Sequence, residues 1–470
     1  MVDATFDTPD QSSISAAPEP APTDTRRTTP TPSPDAPEIG RQGWLFLIAL
    51  AAIAGLAELA IVIINLSTLP VFLDRGLHLP QLVGISFSVF YLCEALGNSP
   101  MGALSDRLGR RPLMVAGALI SMTTCLLMSS LRLPPGGSVL LVSAAVLALR
   151  AVDGLGAAMY WPALFASVGD KLHSERQAQG MSVLNVTYLV GIAFGPVIGG
   201  ICNENLGREF SLNQAERYVP SFLVAATCFA VIALVSAFIA PKKQPQSLSS
   251  AGSHGVENPH SGTPLNAIKR AVREIPFVLL MGFLVFFSTA GLIPPYLKSF
   301  VMDRFDLSES GFGTMMLYPA VVIGALSFPL GHLCDRIGKA RAIQIGLGIV
   351  AGALWLLLMV QQFWAGVAVG SLLGIGFILC FPSYMAYISE RAGAEERAGM
   401  IGAARMAQGI GALSGATLSS FLYHADSRHL TIFVCAAALV SVGWLLSLFV
   451  IHPLKPGTSP SAPPTTGGDA

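Results

Sequence analysis

Apolar residues dominate the chain in runs of about 20 residues, which short polar stretches separate. A helix of that length crosses the ~30 Å hydrocarbon core of a bilayer, so each run predicts a transmembrane helix. Twelve runs occur, at approximately 44–69, 82–104, 112–131, 138–162, 179–201, 219–240, 276–298, 312–333, 341–360, 363–388, 399–423 and 429–451. The pattern predicts an all-α membrane protein in a lipid bilayer.

The polar stretches divide the chain into five segments. Residues 1–43 and 452–470 are rich in Pro, Ser and Thr, and they predict disordered tails. Residues 241–275 form a polar stretch without an apolar run and predict a linker. Six-helix units are therefore expected at 44–240 and 276–451.

Composition supports the membrane class and excludes others. The 470 residues are 52% hydrophobic and only 12% charged, which is too little charge for the surface of a soluble protein of this size. The net charge of zero argues against a nucleic-acid partner. The seven cysteines are scattered and no HExxH motif occurs, so we expect no metal, no cofactor and no enzymatic activity.

The distribution of Lys and Arg predicts the orientation. Nineteen of the 28 lie on the side that holds the tails and the linker, seven lie on the other side, and two lie within spans. The positive-inside rule therefore predicts a multi-pass protein of the plasma membrane with both termini in the cytoplasm.

The two halves of the sequence repeat one another. "DGLGAAMYWPALFA" (153–166) aligns with "LGIGFILCFPSYMA" (373–386), so that two glycines and a proline match at a constant offset. A charged hairpin also recurs, as "GALSDRLGRR" (102–111) and "GHLCDRIGKA" (331–340). These matches predict a duplicated six-helix unit with a cavity between two halves that rock against each other.

Twelve spans, a central linker and the first hairpin together resemble the major facilitator superfamily. The loop motif of that family, Gly-x-x-x-Asp-Arg-x-Gly-Arg-Arg/Lys, is matched throughout. The matching residues are Gly102, Asp106, Arg107, Gly109, Arg110 and Arg111. The resemblance covers the chain between its tails and implies two pseudo-symmetric six-helix bundles.

By this resemblance the hairpin is a latch whose ion pairs form in one conformational state and break in another. Gly102 is expected to let another helix approach, and Gly109 to permit a tight turn. The second copy retains Asp335 and Arg336 and predicts a weaker latch. The alternative is that the hairpin only anchors the topology.

The fifth run contains "GIAFGPVIGG", which resembles the motif of drug:proton antiporters. Its characteristic residues are Gly191, Gly195, Pro196, Gly199 and Gly200. The resemblance implies export in exchange for protons, with packing of small residues as the alternative. In the fourth run, "RAVDGLG" resembles the family motif Arg-x-x-Gln-Gly-x-Gly, with an aspartate in place of the glutamine.

Charged residues within the spans are candidates for function because burial of a charge in a membrane is costly. They are Glu58, Glu94, Arg150, Asp153 and Arg405. Three acids face two bases, and desolvation favours the protonated form of an unpaired carboxyl, as a proton carrier requires.

Glu58 is the first choice as proton carrier, since an embedded first-span acid near the fourth-span arginine resembles the layout of multidrug antiporters. Asp153 is expected instead to pair with Arg150 one turn away, as a structural pair, and Glu94 is a candidate for the substrate cavity. The polar residues expected beside them in the cavity are Asn65, Asn185 and Tyr188.

The preferred function is proton-coupled export of small amphipathic compounds by alternating access, with one chain sufficient as a monomer. The first alternative is a permease or exporter of a specific metabolite such as a sugar, an organic acid or a peptide. A membrane sensor without transport activity is the second alternative, although the intact hairpin and the short linker argue against it.

Overall fold

The structure is a computed structural model that describes residues 41–133, 136–171, 174–210, 215–239, 272–391, 397–423 and 430–452. Both predicted tails and most of the linker lie outside these residues, so the predicted segment boundaries stay predictions. Within the described residues the chain is helical and has no strands.

Twelve long helices make up the described part of the chain. The first six are α1 (Arg41–Val62), α2 (Leu82–Leu108), α3 (Arg110–Ser129), α4 (Val139–Lys171), α5 (Ser174–Ile201) and α6 (Val219–Ile239). The last six are α7 (Pro276–Phe286), α8 (Glu309–Ile337), α9 (Lys339–Met359), α10 (Phe363–Arg391), α11 (Arg397–Leu422) and α12 (Leu430–Val450). Each overlaps one predicted run.

Three helices continue beyond these bounds through π-helical turns. α1 continues through Ile63–Thr68, Leu69–Val71 and Phe72–Gly76. α5 continues through Cys202–Leu206, and α7 continues through Phe287–Leu292 into Ile293–Phe305. The π-helical segments are Ile63–Thr68, Phe72–Gly76, Cys202–Leu206 and Phe287–Leu292, and such i→i+5 bonding frequently marks functional sites.

Eleven of the helices in the described residues are long and apolar enough to cross a membrane. The exception is α11, which has 26 residues but is rich in Gly, Ala and Ser. At about 1.5 Å per residue it is still longer than a bilayer core is thick.

Two glycines make the predicted hairpins. Gly109 has a φ of 98° and Gly338 a φ of 85°, a region that side-chain-bearing residues rarely adopt. Each separates two helices by a single residue. The tight turn expected at Gly109 is therefore confirmed. We call the end of the molecule that contains Gly109 and Gly338 the hairpin end, and the opposite end the far end.

Helix packing repeats between the halves. α1 packs against α5 and α6, and α4 packs against α2 and α3. In the same way α7 packs against α11 and α12, and α10 packs against α8 and α9. Contacts of α2 with α11 and of α5 with α8 join the halves, so the two six-helix bundles are pseudo-symmetric.

Glycines allow the closest of these contacts. A side chain at Gly191 or Gly195 would strike α1, and one at Gly411 would strike α7. Gly200 instead lies against the backbone of Glu309, at the start of α8. The fifth-run motif thus packs α5 against both α1 and the other bundle, while α5 runs through Pro196 without a break.

The hydrophobic core shows where the halves meet. One large cluster contains residues of both halves, including Phe72 and Phe222 from the first and Phe300 and Phe312 from the second. A second cluster, which includes Met281, lies only within the second half, near its hairpin end. The halves therefore share a core toward the far end and separate toward the hairpin end.

Candidate functional site

A cavity of about 890 Å³ lies between the two halves. Its walls come mainly from α1, α2, α4 and α5, with Phe381 of α10 and Arg405 of α11 on the other side. The wall residues Asn98, Phe165, Met181 and Arg405 are exposed, and all lie toward the hairpin end. The cavity is therefore accessible from the hairpin end.

Two carboxyl groups line this cavity. Glu58 is only 6% exposed, and the Tyr188 hydroxyl is its hydrogen-bond partner. Glu94 stands beside Tyr91 and Asn98 on one face of α2. Among the described residues neither Glu58 nor Glu94 forms an ion pair, so the site contains two acids without a counter-charge in contact.

Arg150 is held in a polar cluster beside the cavity. Its Nη1 donates to Asp153 Oδ2 at 2.8 Å and its Nη2 donates to Asn65 Oδ1 at 2.7 Å. The Phe90 ring covers the guanidinium at 4.3 Å, and Ser121 Oγ donates to Asp153 Oδ1 at 2.8 Å. Arg150 therefore pairs with Asp153 one turn away and not with Glu58.

Aromatic rings complete the walls. Trp161 stacks on Phe165 with centroids 5.6 Å apart and meets the Tyr188 ring edge-on at 6.0 Å. On the opposite wall the Arg405 guanidinium lies 5.1 Å from the centroid of Phe381. The cavity combines these aromatic rings with carboxyl, amide and guanidinium groups, so it suits a ligand that has both an apolar and a polar part.

The far end is closed by a buried polar cluster. Lys298 is fully buried, and its Nζ lies 2.8 Å from Oε2 of Glu309, which is 3% exposed. Both residues also bind the first half, since Lys298 Nζ donates to the Ser67 carbonyl at 2.5 Å and Asn203 Nδ2 donates to Glu309 Oε2 at 2.9 Å. We call these four residues the far-end cluster.

Exposed contacts surround the far-end cluster. Arg75 Nη2 lies 3.1 Å from Asp303 Oδ1, and Tyr423 Oη donates to Asp74 Oδ1 at 2.8 Å. Both join residues of different halves. The far end is thus held by a buried ion pair and by a more exposed polar rim.

At the hairpin end the ion pairs of the described residues join elements of the same half. Arg110 Nε lies 2.8 Å from Asp170 Oδ2 of α4, and Arg110 also pairs with Asp106. In the second half Lys339 pairs with Glu390 of α10, the equivalent arrangement. Among the described residues nothing lies within 4 Å of a side chain built at Gly102. The close approach of another helix to Gly102 stays a prediction for the state in which this end is closed.

The remaining predicted residues are placed as follows. Arg107 and Arg336 are exposed, and Arg111 is half-buried. The side chains of Asn185 and Asp335 lie outside the described residues. The role of a latch and the role of a proton pathway stay predictions for all of these residues.

The sequence did not predict the far-end cluster. It also did not predict Asp170 and Glu390, the two acids that pair with Arg110 and Lys339 of the hairpins. The apolar pattern predicts Lys298 as the last residue of the seventh helix, on the side opposite the tails. Asp170 and Glu390 carry a usable signal, since they are separated by the same offset that relates the repeated glycines of α4 and α10.

Comparisons with known proteins agree with this geometry. The family model of the Major Facilitator Superfamily matches residues 50–308 and 278–468. Multidrug resistance protein 2 of Bacillus subtilis is 25% identical over 414 residues, which is 86% of this chain and 95% of that protein. The human MFS-type transporter SLC18B1 is 25% identical over 361 residues, 73% of this chain and 72% of that protein.

Solved structures share the fold at low identity. The crystal structure of a mutant of the nucleoside transporter NupG aligns with a TM-score of 0.69 and 13% identity, covering 87% of this chain and all of that one. The fold predicted from the sequence, twelve helices in two pseudo-symmetric bundles, is therefore confirmed. The chain belongs to the Major Facilitator Superfamily and is a multi-pass membrane transporter.

Proposed function

We propose that the protein exports small amphipathic compounds in exchange for protons by alternating access. The observation that carries this proposal is the cavity itself, which is accessible from the hairpin end and contains two carboxyl groups without an ion-pair partner among the described residues. Such groups bind and release protons more readily than paired ones, because no neighbouring cation fixes them in the charged form.

The direction of transport rests on two kinds of support. The α5 motif resembles that of drug:proton antiporters, and a relative named for multidrug resistance matches 86% of the chain. The excess of Lys and Arg supports a plasma-membrane orientation with the hairpin end in the cytoplasm. In that orientation the cavity accepts compounds from the cytoplasm.

Glu58 is the proposed proton carrier. It is more deeply buried than Glu94, and Tyr188 fixes its carboxyl toward the cavity. Arg150 is balanced by Asp153 within its own helix, so that pair is assigned a positioning role. Since one chain supplies both walls of the cavity, we propose that the monomer is the working unit.

The test is accumulation of fluorescent lipophilic cations in cells that lack their own efflux pumps. Wild type, Glu58→Gln and Glu209→Gln are compared with and without an uncoupler, and Glu209 serves as a matched control because it is an exposed acid at the far end. We expect lower accumulation with wild type and Glu209→Gln, and loss of this effect with Glu58→Gln or the uncoupler.

Other outcomes separate the parts of the proposal. Export that survives Glu58→Gln but not the uncoupler would assign the proton to Glu94 or Asp153. Export that survives the uncoupler would contradict proton coupling. Wild-type cells that accumulate as much as empty cells would contradict export of lipophilic cations and favour a transporter of a specific metabolite.

A further inference from the structure

A side pocket lies beside the cavity, within the second half. Phe381 of α10 lines both, so the two spaces are adjacent and share its ring as a wall. The pocket lies between α7, α10 and α11 and is walled by carbon-rich side chains. Those that matter here are Met281, Phe286, Phe377, Phe381 and Tyr384.

One polar group in this pocket stands out. Gln408 of α11 is only 2% exposed, and neither Nε2 nor Oε1 has a hydrogen-bond partner within the described residues. The Tyr384 hydroxyl does not supply one, since it donates to the Val278 carbonyl at 3.0 Å. Buried amides are nearly always hydrogen-bonded, so an unpartnered one requires an explanation.

Water is a poor partner at this position. A buried water is held by two to four polar groups, and besides the amide of Gln408 the lining offers it the hydroxyl oxygen of Tyr384, whose proton is already donated to Val278. The pocket volume of about 20 Å³ admits a single group of the size of a hydroxyl or carbonyl oxygen. A polar atom carried on an apolar body fits both features better than free water.

Aromatic rings mark the path from the cavity to Gln408. Phe381 stacks on Phe377 with centroids 5.2 Å apart, and the Phe286 ring lies 5.7 Å from Phe381. Arg405, one turn before Gln408 on α11, covers the cavity side of Phe381. A ligand ring that displaces the Arg405 guanidinium can therefore pack on the cavity side of Phe381 and direct a polar substituent toward the amide.

We propose that Gln408 is a specificity-determining residue that hydrogen-bonds a hydroxyl or carbonyl group on an aromatic ring of the transported compound. This inference rests on the proposed function and names the substrate class more closely. The compounds preferred by the site are amphipathic and carry such a substituted ring. The same amide discriminates against unsubstituted rings, because an unpaired buried polar group then remains.

The test is binding of a matched pair of cations to the full chain in lipid nanodiscs, measured by calorimetry. The probes are tetraphenylphosphonium and its analogue with one para-hydroxyphenyl ring. The variants are Gln408→Leu and Gln362→Leu, the same exchange at an exposed position between α9 and α10.

We expect wild type and Gln362→Leu to prefer the hydroxylated cation by about five- to tenfold. Gln408→Leu is expected to bind both cations equally, with unchanged affinity for tetraphenylphosphonium. It is also expected to unfold at the same or a higher temperature without ligand, because leucine removes an unsatisfied buried group.

Three results would overturn the inference. The first is that wild type binds both cations with equal affinity. The second is that Gln408→Leu still prefers the hydroxylated cation. The third is that Gln408→Leu unfolds at a lower temperature, which would show that the Gln408 amide has a hydrogen-bond partner within the protein. Each leaves the proposed function standing as long as wild type binds tetraphenylphosphonium. Failure of wild type to bind either cation would overturn the proposed function together with the inference.

Discussion

Replacement of Lys298 by methionine is expected to open the far end. In the closed arrangement Glu309 is 3% exposed, and Lys298 Nζ at 2.8 Å supplies its close counter-charge. Lys298→Met preserves the shape of the stem but leaves the carboxylate with Asn203 at 2.9 Å and with Arg217 at 3.7 Å. The closed state would then contain a buried and poorly compensated charge.

The size of the effect follows from the burial of the pair. Removal of one partner from a buried ion pair costs about 3 kcal/mol or more, since the remaining charge stays desolvated. When the halves part at this end the carboxylate regains water, so most of the cost falls on the closed state. A shift of about 3 kcal/mol changes the ratio of closed to open molecules by about a hundredfold.

The assay is a distance measurement between spin labels at Gln81→Cys and Gln361→Cys, which are exposed at the far ends of the two halves. The seven native cysteines are replaced first. Lys298→Met is expected to add a population with a longer distance, and Lys298→Met with Glu309→Gln to reduce it, because the double variant buries no lone charge.

Arg75→Gln is the matched control. Its pair with Asp303 also joins the halves at this end, but the two side chains are 41% and 53% exposed. Screening by solvent limits such a pair to about 1 kcal/mol or less, so the distances should stay close to those of wild type. Equal distance distributions in wild type and Lys298→Met, with both proteins folded, would refute the reasoning.

Four further variants test the packing and the hairpins. Gly191→Leu should lower the thermal unfolding temperature, because its Cβ would lie 2.7 Å from the Gly55 carbonyl oxygen. Gly102→Ala is the control and should leave that temperature unchanged, because nothing lies within 4 Å of its Cβ. Gly338→Ala should cost about 2 kcal/mol through its φ of 85°, again seen as a lower unfolding temperature, and a stable variant would contradict the assigned turn. Asp170→Asn should speed hydrogen exchange of the first hairpin at low salt and less so at high salt, and an unchanged rate would show that its ion pair with the hairpin contributes nothing there.

The sequence predicted the helices well because a membrane leaves the backbone few alternatives. Apolar runs in lipid must satisfy their own hydrogen bonds, so every long run is a helix. The predicted helix ends were less accurate where polar residues face protein or the cavity instead of lipid. The fourth run was predicted to end at 162, whereas α4 extends to Lys171 and carries Asp170 to the first hairpin.

Lys298 shows the limit most clearly. Hydropathy scales assign lysine a strongly polar value, so the predicted seventh helix ends at Lys298. In the structure the helix continues to Phe305 and the lysine is fully buried. Its partners are Ser67 of the other half and Glu309, which Asn203 of the other half also contacts. Contacts over such a distance in sequence leave no local pattern.

The two ends of the molecule satisfy their charges in different ways, and this difference explains the conformation. At the hairpin end Arg110 and Lys339 pair with acids of their own halves, so these two pairs stay intact when the halves separate. At the far end Lys298 and Glu309 are enclosed by the other half, and separation would require water to replace the contacts with Ser67 and Asn203. Opening is therefore cheaper at the hairpin end, where the cavity is accessible. Export requires this preference to reverse, so a bound ligand or proton must stabilise closure of the hairpin end by at least as much as the far end loses on opening.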